Sequence, residues 1–184
     1  MQIVASREHR ILGEFTEGLA RARDRIRYFH VIKSGMPAYL ERYYYVGDFS
    51  EGLARALVRE IPSQWCHIKP DGTPAYSMRY HNVGNFVGGY AGVCVDKLRF
   101  HIRPNGEPAY DERYHAVGIF SEGLAVAGLG HDNFHIKPNG KPAYHERYVR
   151  AGDFINGQAS VTQCVGGHAE HFLLFPDGTR TRVE

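Results

Sequence analysis

Four histidines, His30, His67, His101 and His135, stand at matching places in a recurring pattern. In three of them a cation follows two residues on, Lys69, Arg103 and Lys137. Imidazole titrates near neutrality and carries two ring nitrogens, so such a row can form a polar groove for an anion, a metal or an acidic peptide. Cations beside the row repel a metal ion and count against a metal ring. The competing reading is that each imidazole hydrogen-bonds inside its own unit and fixes the local fold. The residue types leave both open.

Cys164-x-x-x-His168-x-x-His171 is the one local cluster with ligand chemistry, and its residue types suit zinc. Its spacing is no finger signature, a fourth ligand is missing, and Gly166-Gly167 marks a turn inside it. No metal or other cofactor is therefore expected. Cys66 beside His67 resembles a nucleophile pair only on paper, because adjacent strand residues point to opposite faces. The chain lacks Gly-x-Ser-x-Gly, a phosphate loop and a dinucleotide fingerprint, so the expectation is a protein that is not an enzyme. Tyr43, Tyr80, Tyr114 and Tyr148 recur and read as packing between repeats. Tyr44, Tyr45, Tyr90 and Trp65 break the symmetry, which makes them better candidates for a specific surface.

These residues sit on a β-hairpin. Phe100-His101-Ile102-Arg103-Pro104-Asn105-Gly106-Glu107-Pro108-Ala109-Tyr110 recurs at 66–76 and 134–144, and in eroded form at 29–39. Proline presets the first corner of a type I turn, and glycine takes the left-handed position of a three-residue hairpin loop with a bulge. Phe100 and Ile102 share one face, and His101 and Arg103 the other. Proline after the turn (Pro37, Pro74, Pro108, Pro142) cannot donate to a ladder, so that strand should start at an edge.

The unit is phased on Phe-x-x-Gly-x-Ala at Phe15, Phe49, Phe86, Phe120 and Phe154, in steps of 34, 37, 34 and 34 residues. It closes with Tyr-x-x-Arg-Tyr-x-x-x-Gly. Helical repeats share this period, but prolines flanking a glycine turn leave too little chain for two helices. The expected fold is all-β: tandem repeats of about three short strands, four full and one divided between residues 1–14 and the end, within a single domain 1–184. Terminal pairing would close a propeller-like ring, whereas capped ends would leave a short open solenoid. The recurring Arg42, Arg79, Arg113 and Arg147 should anchor backbone carbonyls or pair with Glu17, Glu51 and Glu122.

The bulk numbers narrow the classes. With 22 basic against 20 acidic residues, no polyanion-binding field is implied, and nucleic acid is not an expected partner. Three cysteines argue against a disulfide scaffold and for a reducing, cytoplasmic compartment. The start shows no signal peptide, and no stretch is apolar enough to span a membrane.

Phe-Ser-Glu-Gly-Leu-Ala (120–125), with its aromatic-rich strand, glycine turn and late tyrosine, resembles the bacterial WG (KWG) repeat family, as a divergent member. Trp65 falls where that family has its signature tryptophan. The glycine that follows it there is Cys66 here, and Phe29, Phe100 or Phe134 in the other units. The resemblance implies a β-repeat scaffold that binds something and carries over no catalytic residue. The expected function is non-catalytic binding of protein or peptide through the face of His30, His67, His101, His135, Lys69, Arg103, Lys137 and Trp65. Alternatives are a lectin-like carbohydrate module and, behind it, a small metal-dependent enzyme.

Overall fold

A computed structural model describes residues 9–183. No helix occurs among them; sixteen strands form five antiparallel sheets. They fall into two compact units, one up to Phe86 and one from Val87. The division falls where one repeat begins.

The first unit holds β1 (Arg10–Thr16), β2 (Leu19–Arg23) and β3 (Tyr28–Val31) in one sheet, and β4 (Tyr45–Ser50), β5 (Leu53–Arg59) and β6 (Gln64–Ile68) in the next. Its last strand is β7 (Asn82–Val83). In the second unit β8 (Ala91–Val95) pairs with β9 (Leu98–Ile102). There follow β10 (Ala116–Val117), β11 (Ala125–Leu129) and β12 (Asp132–Ile136), then β13 (Arg150–Ala151), β14 (Ala159–Val165), β15 (His168–Leu174) and β16 (Arg180–Arg182).

A sheet is offset from the sequence repeat. β4 comes from the closing block of one repeat, and β5 and β6 from the opening of the next. Residues 10–16 and 180–182 therefore each complete a sheet of their own, β1 beside β2 and β16 beside β15. Five sheets therefore follow one another along the chain.

Two turns set the register. At Pro70-Asp71-Gly72 the Gly72 N–H donates to the Lys69 carbonyl and the Lys69 N–H to Thr73, with Gly72 at φ 82°. This is the type I turn plus left-handed glycine expected from the sequence. The Phe-x-Glu-Gly block is a second, two-residue hairpin turn. Its Glu and Gly are both left-handed, as at Glu122 (φ 51°) and Gly123 (φ 83°), closed by reciprocal Ser121–Leu124 backbone bonds. Such turns match strand twist but strain a residue with a side chain.

Proline goes further than expected of it: the strand read after the turn is reduced to a single bridge. Pro37, Pro74, Pro108 and Pro142 each make one isolated bridge, and no strand follows. In the last sheet Arg180 holds the equivalent place opposite Leu174, and with its N–H restored a three-residue strand, β16, forms.

The core lies along the strands' small face. Ala20, Ala22, Ala54, Ala56, Ala125 and Ala127 are wholly buried, between Phe29, Val31, Ile68, Phe134 and Ile136. Successive repeats also touch through the turn glycines. A Cβ on Gly140, at φ +81°, would fall 2.5 Å from the Tyr110 ring and 2.6 Å from Glu112 Oε2. Gly140→Ala should therefore cost roughly 2–4 kcal/mol in urea unfolding. Gly130→Ala, also left-handed but with open space around its Cβ, should cost only about 1 kcal/mol.

Candidate functional site

The histidine row is buried. His30, His67, His101 and His135 are at most 1 % exposed. In each, Nε2 lies 2.8–2.9 Å from a glycine carbonyl: Gly47, Gly84, Gly118 and Gly152 in turn. A carbonyl can only accept, so Nε2 carries the proton and Nδ1 is left as an acceptor. The hydroxyls of Tyr39, Tyr76, Tyr110 and Tyr144 donate to Nδ1. A phenylalanine then packs at a tilt against each imidazole, Phe49, Phe86, Phe120 and Phe154, at centroid distances of 4.5–4.7 Å. The neutral imidazole is saturated.

Burial holds these imidazoles below their ordinary 6.5, and the glycine carbonyls offset this only in part; His30 and His67 are lowered to about 4. Burial likewise raises Tyr39, Tyr76, Tyr110 and Tyr144, so their phenols stay protonated as donors.

The expected face of alternating imidazoles and cations is thereby corrected. Lys69, Arg103 and Lys137 are exposed, but the four imidazoles lie beneath the surface with both nitrogens used. The recurring arginines are spent as well. Nη1 of Arg42, Arg79, Arg113 and Arg147 donates to the three carbonyls before it, as from Arg113 to Tyr110, Asp111 and Glu112. The guanidinium lies over Phe29, Phe100 or Phe134 at 3.7–4.1 Å where a ring is present.

Glu17 and Glu122 pair with backbone rather than arginine. Glu17 accepts from Gly52 N–H, and Glu122 from Asn156 and Gly157, in each case at the turn of the next repeat. Tyr43 and Tyr114 donate to the carbonyls of Gly72 and Gly140. His9 takes that role toward Gly35.

Cys164, His168 and His171 do not converge. β14 and β15 pair Cys164 with Ala169, Val165 with His168 and Thr162 with His171. Alternation then puts Cys164 and His171 on one face and His168 on the other. His171 Nδ1 lies 3.2 Å from Thr162 Oγ1. Among the described residues no three His, Cys, Asp or Glu side chains group as metal ligands. Cys66 is buried, and burial raises its thiol, which suits a core slot.

What remains is a row that does not repeat. In the first unit Arg10, Arg23 and Tyr28 face one another across β1, β2 and β3, and Tyr45, Leu57 and Trp65 across β4, β5 and β6. Tyr28 and Tyr45 lie 5.5 Å apart by ring centroid, and Tyr45 and Trp65 5.8 Å, all three half-buried. Arg23 approaches Tyr28 at 5.3 Å, Arg55 approaches Tyr45 at 5.6 Å, and Arg27 covers Tyr44 at 3.5 Å. Sequence reasoning found Tyr44, Tyr45 and Trp65 by their broken symmetry. It passed over Tyr28 and the arginines, although Arg-x-Arg-x-Arg-x-Arg at 21–27 was visible.

A cleft of about 310 Å³ lies in the second unit, lined by Leu129, Asp132, Phe134, Glu112, Tyr114 and Arg147.

Two outcomes test the buried row. His101→Phe keeps the ring packing but strands the Gly118 carbonyl and the Tyr110 hydroxyl, and should cost roughly 2–4 kcal/mol in urea unfolding. Acid should also unfold the protein. Imidazoles that titrate near 6.5 in the unfolded chain but near 4 in the fold let the unfolded state bind more protons as pH falls. Stability is then full above pH 6.5 and declines toward about pH 4, by about 1.4 kcal/mol per pH unit for each such histidine. A flat stability profile across that window would contradict the neutral assignment.

Comparison with known proteins follows the fold. A solved chain described as "KlHsv2 with loop 6CD replaced by a Gly-Ser linker" is similar with a TM-score of 0.50 at 9 % identity, over 91 % of this chain and 63 % of that one. This chain thus spans under two thirds of that length, and at such identity the likeness concerns fold alone. A protein of unknown function from Bacteroides caccae is similar over 90 % of this chain and 78 % of its own, with 9 % identity and a TM-score of 0.35. No curated protein matches. The family described as "WG containing repeat" matches residues 68–98. That stretch runs from the end of one histidine strand through the next Phe-x-x-Gly block, within the region where the sequence resembles the family.

Proposed function

We propose that the chain is a non-catalytic β-repeat scaffold that binds a protein or peptide. The observation that carries this reading is where the polar chemistry is spent. Every recurring imidazole has both ring nitrogens bonded, every recurring guanidinium is held by carbonyls, and the glutamates Glu17 and Glu122 cap the next repeat's turn. Groups fully bonded inside a fold are poor acids, bases or ligands, because each would first have to break those bonds.

Binding therefore belongs to side chains that differ between repeats. In the first unit these are Tyr28, Tyr45 and Trp65, which offer large apolar area and a polar edge at low entropic cost, the kind of side chain that dominates protein interfaces. Lys69, in the same unit, is exposed and remains available as a peripheral contact. The same rings keep a carbohydrate-binding reading as the alternative, since sugars also stack on tyrosine and tryptophan.

Panning a random-peptide library on the folded protein tests the proposal. An enriched sequence lost with Tyr45→Ala and Trp65→Ala, at unchanged melting temperature, is expected. Each substitution should weaken binding about tenfold or more. Enrichment on a glycan array with none in the peptide library would move the function to carbohydrate.

A further inference from the structure

Resting on that binding reading, we propose that the aromatic row of the first unit is a docking strip for an acidic, extended peptide. Arg23, Arg27 and Arg55 lie beside the rings, and Arg10 stands opposite Arg23. Among the described residues the carboxylates nearby are committed elsewhere. Asp48 holds Arg21 at 2.7 Å, and Asp24 lies 3.5 Å from Arg42 while accepting the N–H of Arg27. No described carboxylate pairs with Arg10, Arg23, Arg27 or Arg55.

Two further features point to an anionic partner. Arg10 and Arg23 sit directly opposite each other on β1 and β2, a like-charge pairing that opposes the sheet unless an anion lies between them. Arg55 Nε is buried without a hydrogen-bond partner, beside Gly47, where a Cβ would come within 3.0 Å of it. Carboxylates suit guanidinium forks of this kind, in register with the sheet.

The partner's class follows from the rings and the hairpin tips. Tyr28, Tyr45 and Trp65 are tilted on one another at 47° and 60°, and Arg27 covers Tyr44. That leaves no series of open ring faces on which successive nucleic-acid bases could stack. The tips of the β2–β3 and β5–β6 hairpins expose Ile26 at 72 % and Ile61 at 83 %. Apolar side chains between carboxylates would cover them; a sugar–phosphate backbone would not. The strip therefore fits a peptide alternating acidic with aliphatic residues.

The test uses a short fluorescent peptide alternating glutamate with leucine, the same peptide with glutamine for glutamate, and oligo-dT of matched length. Trp65 is the single tryptophan and reports occupancy directly by its emission. Binding of the glutamate peptide with a change in Trp65 emission, weakening with added salt, is expected. Arg10→Gln with Arg23→Gln should reduce affinity about tenfold or more at unchanged melting temperature. Equal binding of the glutamine peptide overturns the acidic partner but leaves peptide binding standing. Binding of neither peptide overturns the strip, and the random-peptide panning then decides the scaffold reading separately. Tighter binding of oligo-dT overturns it in favour of a nucleic acid.

Discussion

A neutral imidazole held from both sides is the interaction on which the rest of the fold depends. One nitrogen donates to a glycine carbonyl and the other accepts from a tyrosine, while a phenylalanine closes over the ring. The tyrosine stands nine residues after the histidine, the glycine seventeen and the phenylalanine nineteen. The imidazole thus fastens the strand that bears it to the loop that leaves it and to the first strand of the following sheet. Without that ring a buried carbonyl and a buried hydroxyl would both lack partners, a cost the small alanine core is ill placed to absorb.

Other contacts make the same step from one repeat to the next. Glutamate in the left-handed turn accepts from the following turn's backbone, Ser50 and Ser121 donate to the carbonyls of Phe86 and Phe154, and Tyr43 and Tyr114 reach the next turn glycine. The strain of placing a glutamate at positive φ is offset because the carboxylate gains charge-assisted bonds that a glycine there could not make. Stability of this kind accumulates between neighbours, as in other repeat arrays.

Much of this was legible in the sequence. Alternation around His101 gave the strand and Pro-Asn-Gly gave the turn, because each follows from local backbone physics. The destination of the imidazoles was legible only as one of two readings, and the bond inside the repeat rather than the open polar groove is the one the contacts bear out. Strand alternation says only that His101 and Phe100 point to opposite faces, and here both faces are buried, so the side read as solvent is a second interior. The phase of the sheets was missed for a related reason. Sequence identity marks where copying begins, while strand pairing joins the tail of one copy to the head of the next. The carbonyl alternative for the arginines held, but Phe-x-Glu-Gly was not read as a turn, since glutamate is not the residue that usually signals a left-handed hairpin turn.

The one irregular step in the series, 37 residues where the others are 34, falls at the β5–β6 tip. The intervals from His67 to Tyr76, Gly84 and Phe86 are the same as in the regular repeats, so the added residues lie wholly outside the clasp. Lengthening a loop already closed by its hairpin costs little entropy. The array therefore has a built-in place for variation: its tips can grow or change composition while the fastening between copies stays in step. Diversification of such a chain is channelled to one end of its hairpins, the end where Ile61 and the aromatic row already depart from the common pattern.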